Sequence, residues 1–445
     1  MRRRRSTGIA ASNGADLTQF KRWYSQAGTP RLAVSESYDA AARTYSLTFR
    51  QSCPQTPDKV EKLPFVIPVE LGLLDAKGAG IALRLAGEAA AGATSRVISV
   101  TEAEQTFTFV DIAEQPLPSL LRGFSAPVKL SFPYTRDQLM FLMQHDSDGF
   151  NRWDAGQQLS VQVLQELIAQ HQQGQALHMD QRLITALRSV LSDESLDQAM
   201  VAEMLSLPGE AYLTEISDVA DVDAIHAARE FARKQLADNL HEALWLRYQA
   251  NRELSKQTPY VAAAEHFARR ALQNIALSYL MLSGKPQVLA ATIEQFDTSD
   301  NMTERLTALA VLVNSPFEAE KAKALAVFAE NFKDNPLVMD QWFSVQAGST
   351  LPGGLARRDL WVEAIELDHQ VRQEAITRAV SCMEVDQVLP GKGADQGTHL
   401  VRVLQCERRV LHQRLDPRQH RHKQISTLTL NACSRSMTCG TSRCR

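Results

Sequence analysis

The residues of this chain whose types and spacing could do chemistry form a few small groups. His241-Glu242-Ala243-Leu244-Trp245 begins like the zinc-peptidase pattern His-Glu-x-x-His. That pattern works because residues four apart on a helix bring two imidazoles to one face for the metal, while the Glu activates a water. Here Trp245 stands where the second imidazole belongs, so the pair is read as a solvated helix face. His145, with Asp146 and Asp148 close by, has ligand-type residues but sits where a helix should end, and a histidine there complements the helix dipole. Glu265-His266 is read in the same way. Cys406, His412, His420, His422, Cys433, Cys439 and Cys444 are of metal-binding types, but they lack C-x-x-C and H-x(3–5)-H spacing and are read as accidental composition. No Gly-x-Gly-x-x-Gly, P-loop or Gly-x-Ser-x-Gly occurs. The sequence therefore assigns no catalytic, cofactor-binding or metal residue.

The elements that would position such residues change character along the chain. Leu17, Phe20, Trp23 and Tyr24 put bulky groups on one side of a helix end over Asp16–Ser25, which Gly28-Thr29-Pro30 stops. From Arg31 to Pro133 the period is two: Tyr45, Leu47 and Phe49 alternate with polar residues, as do Phe107 and Phe109. Turn signals recur at Tyr38-Asp39, Pro54–Pro57, Asp75–Gly78 and Gln115–Pro118, and prolines 64, 68 and 127 suit strand ends or edges. This pattern reads as a small all-β sandwich. Beyond Pro133 the period is 3.6 to about residue 350, for about ten helices. Expected helix starts are Thr135–Gln138, Ser192–Ser195, Asp221 and Asn301–Glu304. Short polar connections favour a curved stack of antiparallel helix pairs, with no strict repeat and no named repeat class.

Charge and composition narrow the function classes. Net charge is −3, which gives no basic field for nucleic acid, and no apolar run is long enough to span a membrane. Met1-Arg-Arg-Arg-Arg5 is followed by no apolar stretch of signal-peptide length. Cys53 is the only cysteine before residue 358, which agrees with a cytoplasmic protein. The composition changes near Arg357–Arg358: the residues from there on hold twelve Arg, two Lys and five of the six cysteines. The segment 358–445 is read as an out-of-frame or foreign tail, disordered or only weakly helical.

Several stretches carry a resemblance. Leu17-Thr-Gln-Phe-Lys-Arg-Trp-Tyr-Ser-Gln-Ala-Gly-Thr-Pro30 looks like the junction that ends the catalytic domain of the bacterial aminopeptidase N family. Gln105–Phe109, Phe124–Leu130, Phe150-Asn-Arg-Trp-Asp-Ala155 and Pro336–Phe343 resemble the non-catalytic half of that family, in order, over residues 12–357. The resemblance implies a gluzincin-type, zinc-dependent metallopeptidase, a hydrolase acting on peptides. In its intact members a zinc domain precedes a small β-sandwich and a helical superhelix that closes over the active site and limits peptide access.

The expectation is thus a multidomain β + α chain. Residues 1–27 would be a remnant of the catalytic domain, 28–133 the sandwich, 134–357 an incomplete superhelical domain and 358–445 the tail. The family's zinc ligands, amine-holding segment and transition-state tyrosine have no counterpart here, so the chain is expected to be a truncated homologue, inactive alone and without bound zinc. Expected partners are peptides in the intact family, no nucleic acid and no membrane, with self-association through apolar surface left uncovered. The alternative is a stand-alone helical scaffold that binds peptides or a partner protein.

Overall fold

A computed structural model describes residues 16–57 and 59–351. Among these residues seven strands form two sheets: β1 (Arg31–Asp39), β2 (Thr44–Ser52), β3 (Ile67–Leu74), β4 (Ser95–Val100), β5 (Glu104–Val110), β6 (Leu117–Leu120) and β7 (Lys129–Ser131). Strand order is β5-β2-β1-β7 in one sheet and β4-β3-β6 in the other. All pairs are antiparallel except β1 with β7, which run parallel with Arg31 opposite Lys129. The alternation read from the sequence has its cause in the core. Tyr45, Leu47, Phe49 and Phe109 are buried between the sheets with Ile67, Val69, Leu71 and Leu73 from β3. Their neighbours on the outer face pair across strands, as Ser46 with Thr108 and Thr48 with Thr106, each at 2.8 Å.

Two turn signals act as expected. Asp39 accepts from the Ala41 and Ala42 amides, and Asp75 accepts from the Lys77 and Ala79 amides while Gly78 takes φ 83°. Gln115–Pro118 differs, because Leu117 and Pro118 already belong to β6. A proline is tolerated there because β6 is an edge strand with one neighbour.

The segment before β1 also departs from expectation. Its helix, α1, is only Arg22–Ser25. Of its aromatic residues, Phe20 and Tyr24 are exposed, but Trp23 packs on Phe65 with ring centres 4.8 Å apart and donates to the Val66 carbonyl at 2.8 Å. Gln19 and Gln26 donate to Thr101 and Leu63 carbonyls, and Arg22 donates to Pro64. The sandwich itself thus houses Trp23 and anchors the segment, and leaves Phe20 and Tyr24 exposed.

The helices that follow are α2 (Arg136–His145), α3 (Gly149–Gln172), α4 (Gln181–Ser192), α5 (Gln198–Leu205), α6 (Glu210–Ile216), α7 (Val222–Asn239), α8 (His241–Gln257), α9 (Ala264–Leu280), α10 (Pro286–Thr298), α11 (Met302–Val313), α12 (Glu318–Phe332) and α13 (Pro336–Ala347). Consecutive pairs pack together as α2 with α3, α8 with α9 and α10 with α11, while α9 also packs on α5. Thr135 starts α2 with a full capping box, and Asp221 and Asn301 cap α7 and α11. Ser192 is instead the last residue of α4, and the next helix starts from Asp197. Asp193 explains the difference: its carboxylate turns onto the Ser195 amide and hydroxyl, closing a local turn rather than opening a helix.

A second compact unit begins at Val327. Its described residues hold the end of α12, where Phe328 meets Phe332 at 4.8 Å, and α13, which Asn335 caps with Pro336 in the first turn. The composition change near Arg357–Arg358 and the histidines and cysteines after it lie outside the described residues.

Candidate functional site

The motif Phe150-Asn-Arg-Trp-Asp-Ala155 opens α3 at the junction of sandwich and helices, and its residues divide their work. Asn151 donates to Ser119 Oγ at 2.7 Å and to the Leu120 carbonyl at 3.1 Å. Arg122 donates from Nε to the same Ser119 hydroxyl at 2.7 Å and from Nη2 to Asp146 at 2.9 Å. Arg122, Asp146, Asn151 and Ser119 are all buried, so this clasp fixes the start of α3 against β6. Asp148 completes it by capping α3 and accepting from the Gly123 amide. Gly72 on β3 makes room for the clasp: a Cβ there would stand 2.4 Å from the Arg122 guanidinium carbon.

Trp153 and Asp154 take no part in the clasp. They begin a stripe on α3, continued by Gln157, Gln158, Val161 and Gln162, that lines one wall of a groove of about 570 Å³. The opposite face of the helix buries Leu159, Val163 and Leu167 in the core. The second wall is the end of α5 and the turn into α6: Glu203, Ser206, Leu207, Pro208, Gly209 and Tyr212. Gln157 ties the walls by donating to the Ser206 carbonyl at 2.9 Å. Tyr279 on α9 donates to the Leu205 carbonyl at 2.7 Å and so holds the end of α5; burial pushes its hydroxyl up to about 12. Burial likewise raises the Asp154 carboxyl above the ordinary aspartate value, against one hydrogen bond from Gln158 at 2.7 Å that lowers it.

The groove residues were not predicted as a site. Their signal was present in the sequence: positions 153, 154, 157, 158 and 162 form a helical stripe of aromatic, acidic and amide residues, with Val161 among them. It is invisible without the α5–α6 turn that faces it.

The residues singled out in the sequence have other roles. His145 is the last residue of α2, with its ring 4.6 Å from that of Phe141, while Asp146 and Asp148 serve the clasp. His241 is the first residue of α8; both ring nitrogens lack a hydrogen-bond partner, and burial, with Lys285 nearby, lowers its pKa. Trp245 stacks on Tyr248 at 5.7 Å, filling the place of a second imidazole. His266 faces Arg269 Nη2 at 3.0 Å, and Glu265 is 3.9 Å away. Among the described residues no three His, Cys, Asp or Glu side chains group so as to hold a metal ion. The residues present around His241 therefore do not fit a zinc centre.

Two family models cover this architecture. The Ig-like fold of a domain of unknown function, DUF3458, matches residues 28–133, and its C-terminal ARM repeats match residues 136–362. The aminopeptidase N of Escherichia coli (strain K12) is 39% identical over 339 residues, which is 76% of this chain and 38% of that protein. That of Haemophilus influenzae is 37% identical over 341 residues, and that of Caulobacter vibrioides 34% over 350. The chain belongs to the aminopeptidase N family. It spans 38% of the length of these curated relatives and corresponds to a C-terminal portion of them. A crystal structure of Legionella pneumophila aminopeptidase A in complex with aspartic acid superposes with a TM-score of 0.68 at 26% identity, covering 84% of this chain and 42% of that one.

Two sequence expectations are refined by these matches. The helices do belong to a named repeat class, the ARM repeats, which recur in how helices pack rather than in identical residues. The helical family model also runs past Arg358, to residue 362.

Among the described residues no helix is long and apolar enough to cross a membrane.

Proposed function

We propose that this chain is the Ig-like and helical portion of a zinc-dependent aminopeptidase, without a peptidase centre of its own. In that reading the helical part shapes the access of peptides to the family's catalytic half. The observation that carries the proposal is the family relationship: the Ig-like and ARM-repeat models match residues 28–133 and 136–362, and the E. coli aminopeptidase N is 39% identical over 339 residues. The sequence adds support, since its single His-Glu pair, His241-Glu242, has Trp245 where a second ligand would be needed. Metal-assisted hydrolysis requires those ligands and an activated water. The single cysteine before residue 358 favours the cytoplasm, which fractionation of the native host would check.

The test is direct. Purified chain with added zinc should leave alanyl- and arginyl-p-nitroanilide unhydrolysed. Turnover that stays with the chain after removal of host aminopeptidases would overturn the proposal.

A further inference from the structure

The groove beside α3 is built unlike the rest of the junction. Arg122 pairs with Asp146, and Arg122 and Asn151 both donate to Ser119, whereas Trp153 and Asp154, from the same motif as Asn151, line the groove. Two carboxylates, Asp154 and Glu203, line the groove, and no Lys, Arg or His does. Two cations touch the backbone of lining residues, and both are already engaged: Arg229 Nε donates to the Pro208 carbonyl at 3.0 Å with its Nη1 3.8 Å from Glu230, and Arg136 donates to the Gln162 carbonyl at 3.2 Å while pairing with Glu166 and Asp180. The Asp154 carboxyl is largely withdrawn from water with one amide donor, so an incoming cation would find it poorly solvated and poorly paired. Trp153 and Tyr212 add aromatic faces, and Tyr212 is half exposed. Such faces attract a guanidinium or ammonium group that has shed part of its water. The volume, about 570 Å³, suits a side chain with a short length of its backbone rather than a folded partner.

We propose that the groove between α3 and the α5–α6 turn binds a basic side chain of a peptide, with Asp154 as the counter-ion, Glu203 at the rim and Trp153 and Tyr212 as the walls. The amides of Gln158 and Gln162 on the same stripe would meet the peptide backbone. This site lies on residues of the chain itself and does not depend on the peptidase reading.

The full chain is titrated with acetyl-Gly-Arg-Gly-amide, acetyl-Gly-Gln-Gly-amide and agmatine, followed by thermophoresis. The blocked peptides have no free N-terminus, so loss of binding here is separable from any loss of peptidase function. The arginine peptide should bind roughly ten-fold more tightly than the glutamine peptide. Asp154→Asn should bring the arginine peptide to the level of the glutamine peptide and leave the latter unchanged, a pattern that mere unfolding would not produce. Glu203→Gln, at an exposed position, should cost a several-fold part of the preference and serves if Asp154→Asn does not fold. Equal binding of the two peptides, no saturable binding at millimolar concentration, or a preference untouched by both variants would overturn the proposal. Agmatine binding as tightly as the arginine peptide would overturn the peptide assignment in favour of a small amine.

Discussion

At the scale of single residues, the junction is decided by a guanidinium. Arg122 is 5% exposed and Asp146 is 1% exposed, so each is the other's replacement for water. Removing one partner of such a pair leaves a buried charge and costs about 3–5 kcal/mol. Arg122→Met should therefore lower stability by about that amount in urea unfolding. Gly72→Ala should do much of the same damage from the opposite side by displacing the guanidinium. Destabilisation under 1 kcal/mol by both would mean the clasp carries little. His241 allows a pH test. Its folded pKa lies below the ordinary 6.5, chiefly through burial, so folding favours the neutral ring. The unfolded chain then takes up the proton first, and stability is full above pH 6.5 and falls as pH drops from there toward the folded value. His241→Asn should flatten the wild-type loss of melting temperature between pH 7.5 and pH 5.5; an unchanged slope would remove His241 as its source.

Helices and strands show what the sequence could disclose and where it stopped. Thr135, Asp221 and Asn301 were legible as helix starts because an N-cap bonds to residues two or three positions on, wholly within a short word of sequence. Ser192 carried similar letters and failed, since Asp193 had a competing local partner in Ser195. The alternation in β2 was legible because one face of the strand is core; the β6 assignment was not, because a proline on an edge strand has the same letters as a turn. The groove was least legible, since its two walls are separated in sequence by some forty residues and are brought together by tertiary contacts, Gln157 on the Ser206 carbonyl and Tyr279 of α9 on the Leu205 carbonyl. The cap of α11 offers the cleanest test. Asn301 accepts from the Glu304 amide at 3.0 Å, and Glu304 in turn pairs with Arg252. Asn301→Ala should cost about 1 kcal/mol, and Asn301→Asp should restore most of it in the same thermal melts. A loss equal for both would point away from capping.

At the scale of the whole molecule, the uncovered apolar surface is the feature with consequences in solution. Phe20 and Tyr24 touch edge to face at 6.1 Å and both remain exposed. Phe124, held at φ 51° and half exposed, meets Phe150 with ring centres 5.3 Å apart. Contiguous apolar patches of this kind favour association. We expect the full chain to self-associate at micromolar concentration, and Phe20→Ser with Tyr24→Ser to reduce it. A sharp monomer peak for the unmodified chain by size-exclusion chromatography with light scattering would sink this expectation.

The parallel pairing of β1 with β7 has a mechanical side. The chain enters the sandwich at the first residue of β1 and leaves it after the last residue of β7, and these two strands lie side by side in the same direction. Tension applied along the chain therefore pulls the strands lengthwise past each other, loading the Arg31–Ala33 and Lys129–Ser131 ladder all at once. Pulled instead from the starts of both strands, the same ladder would open one bond at a time. The sandwich should yield at higher force in the first geometry than in the second under optical tweezers, and equal forces would show that the ladder does not bear the load. Its small, three-residue seventh strand would then act as a rivet between what precedes the sandwich and the helices that follow it.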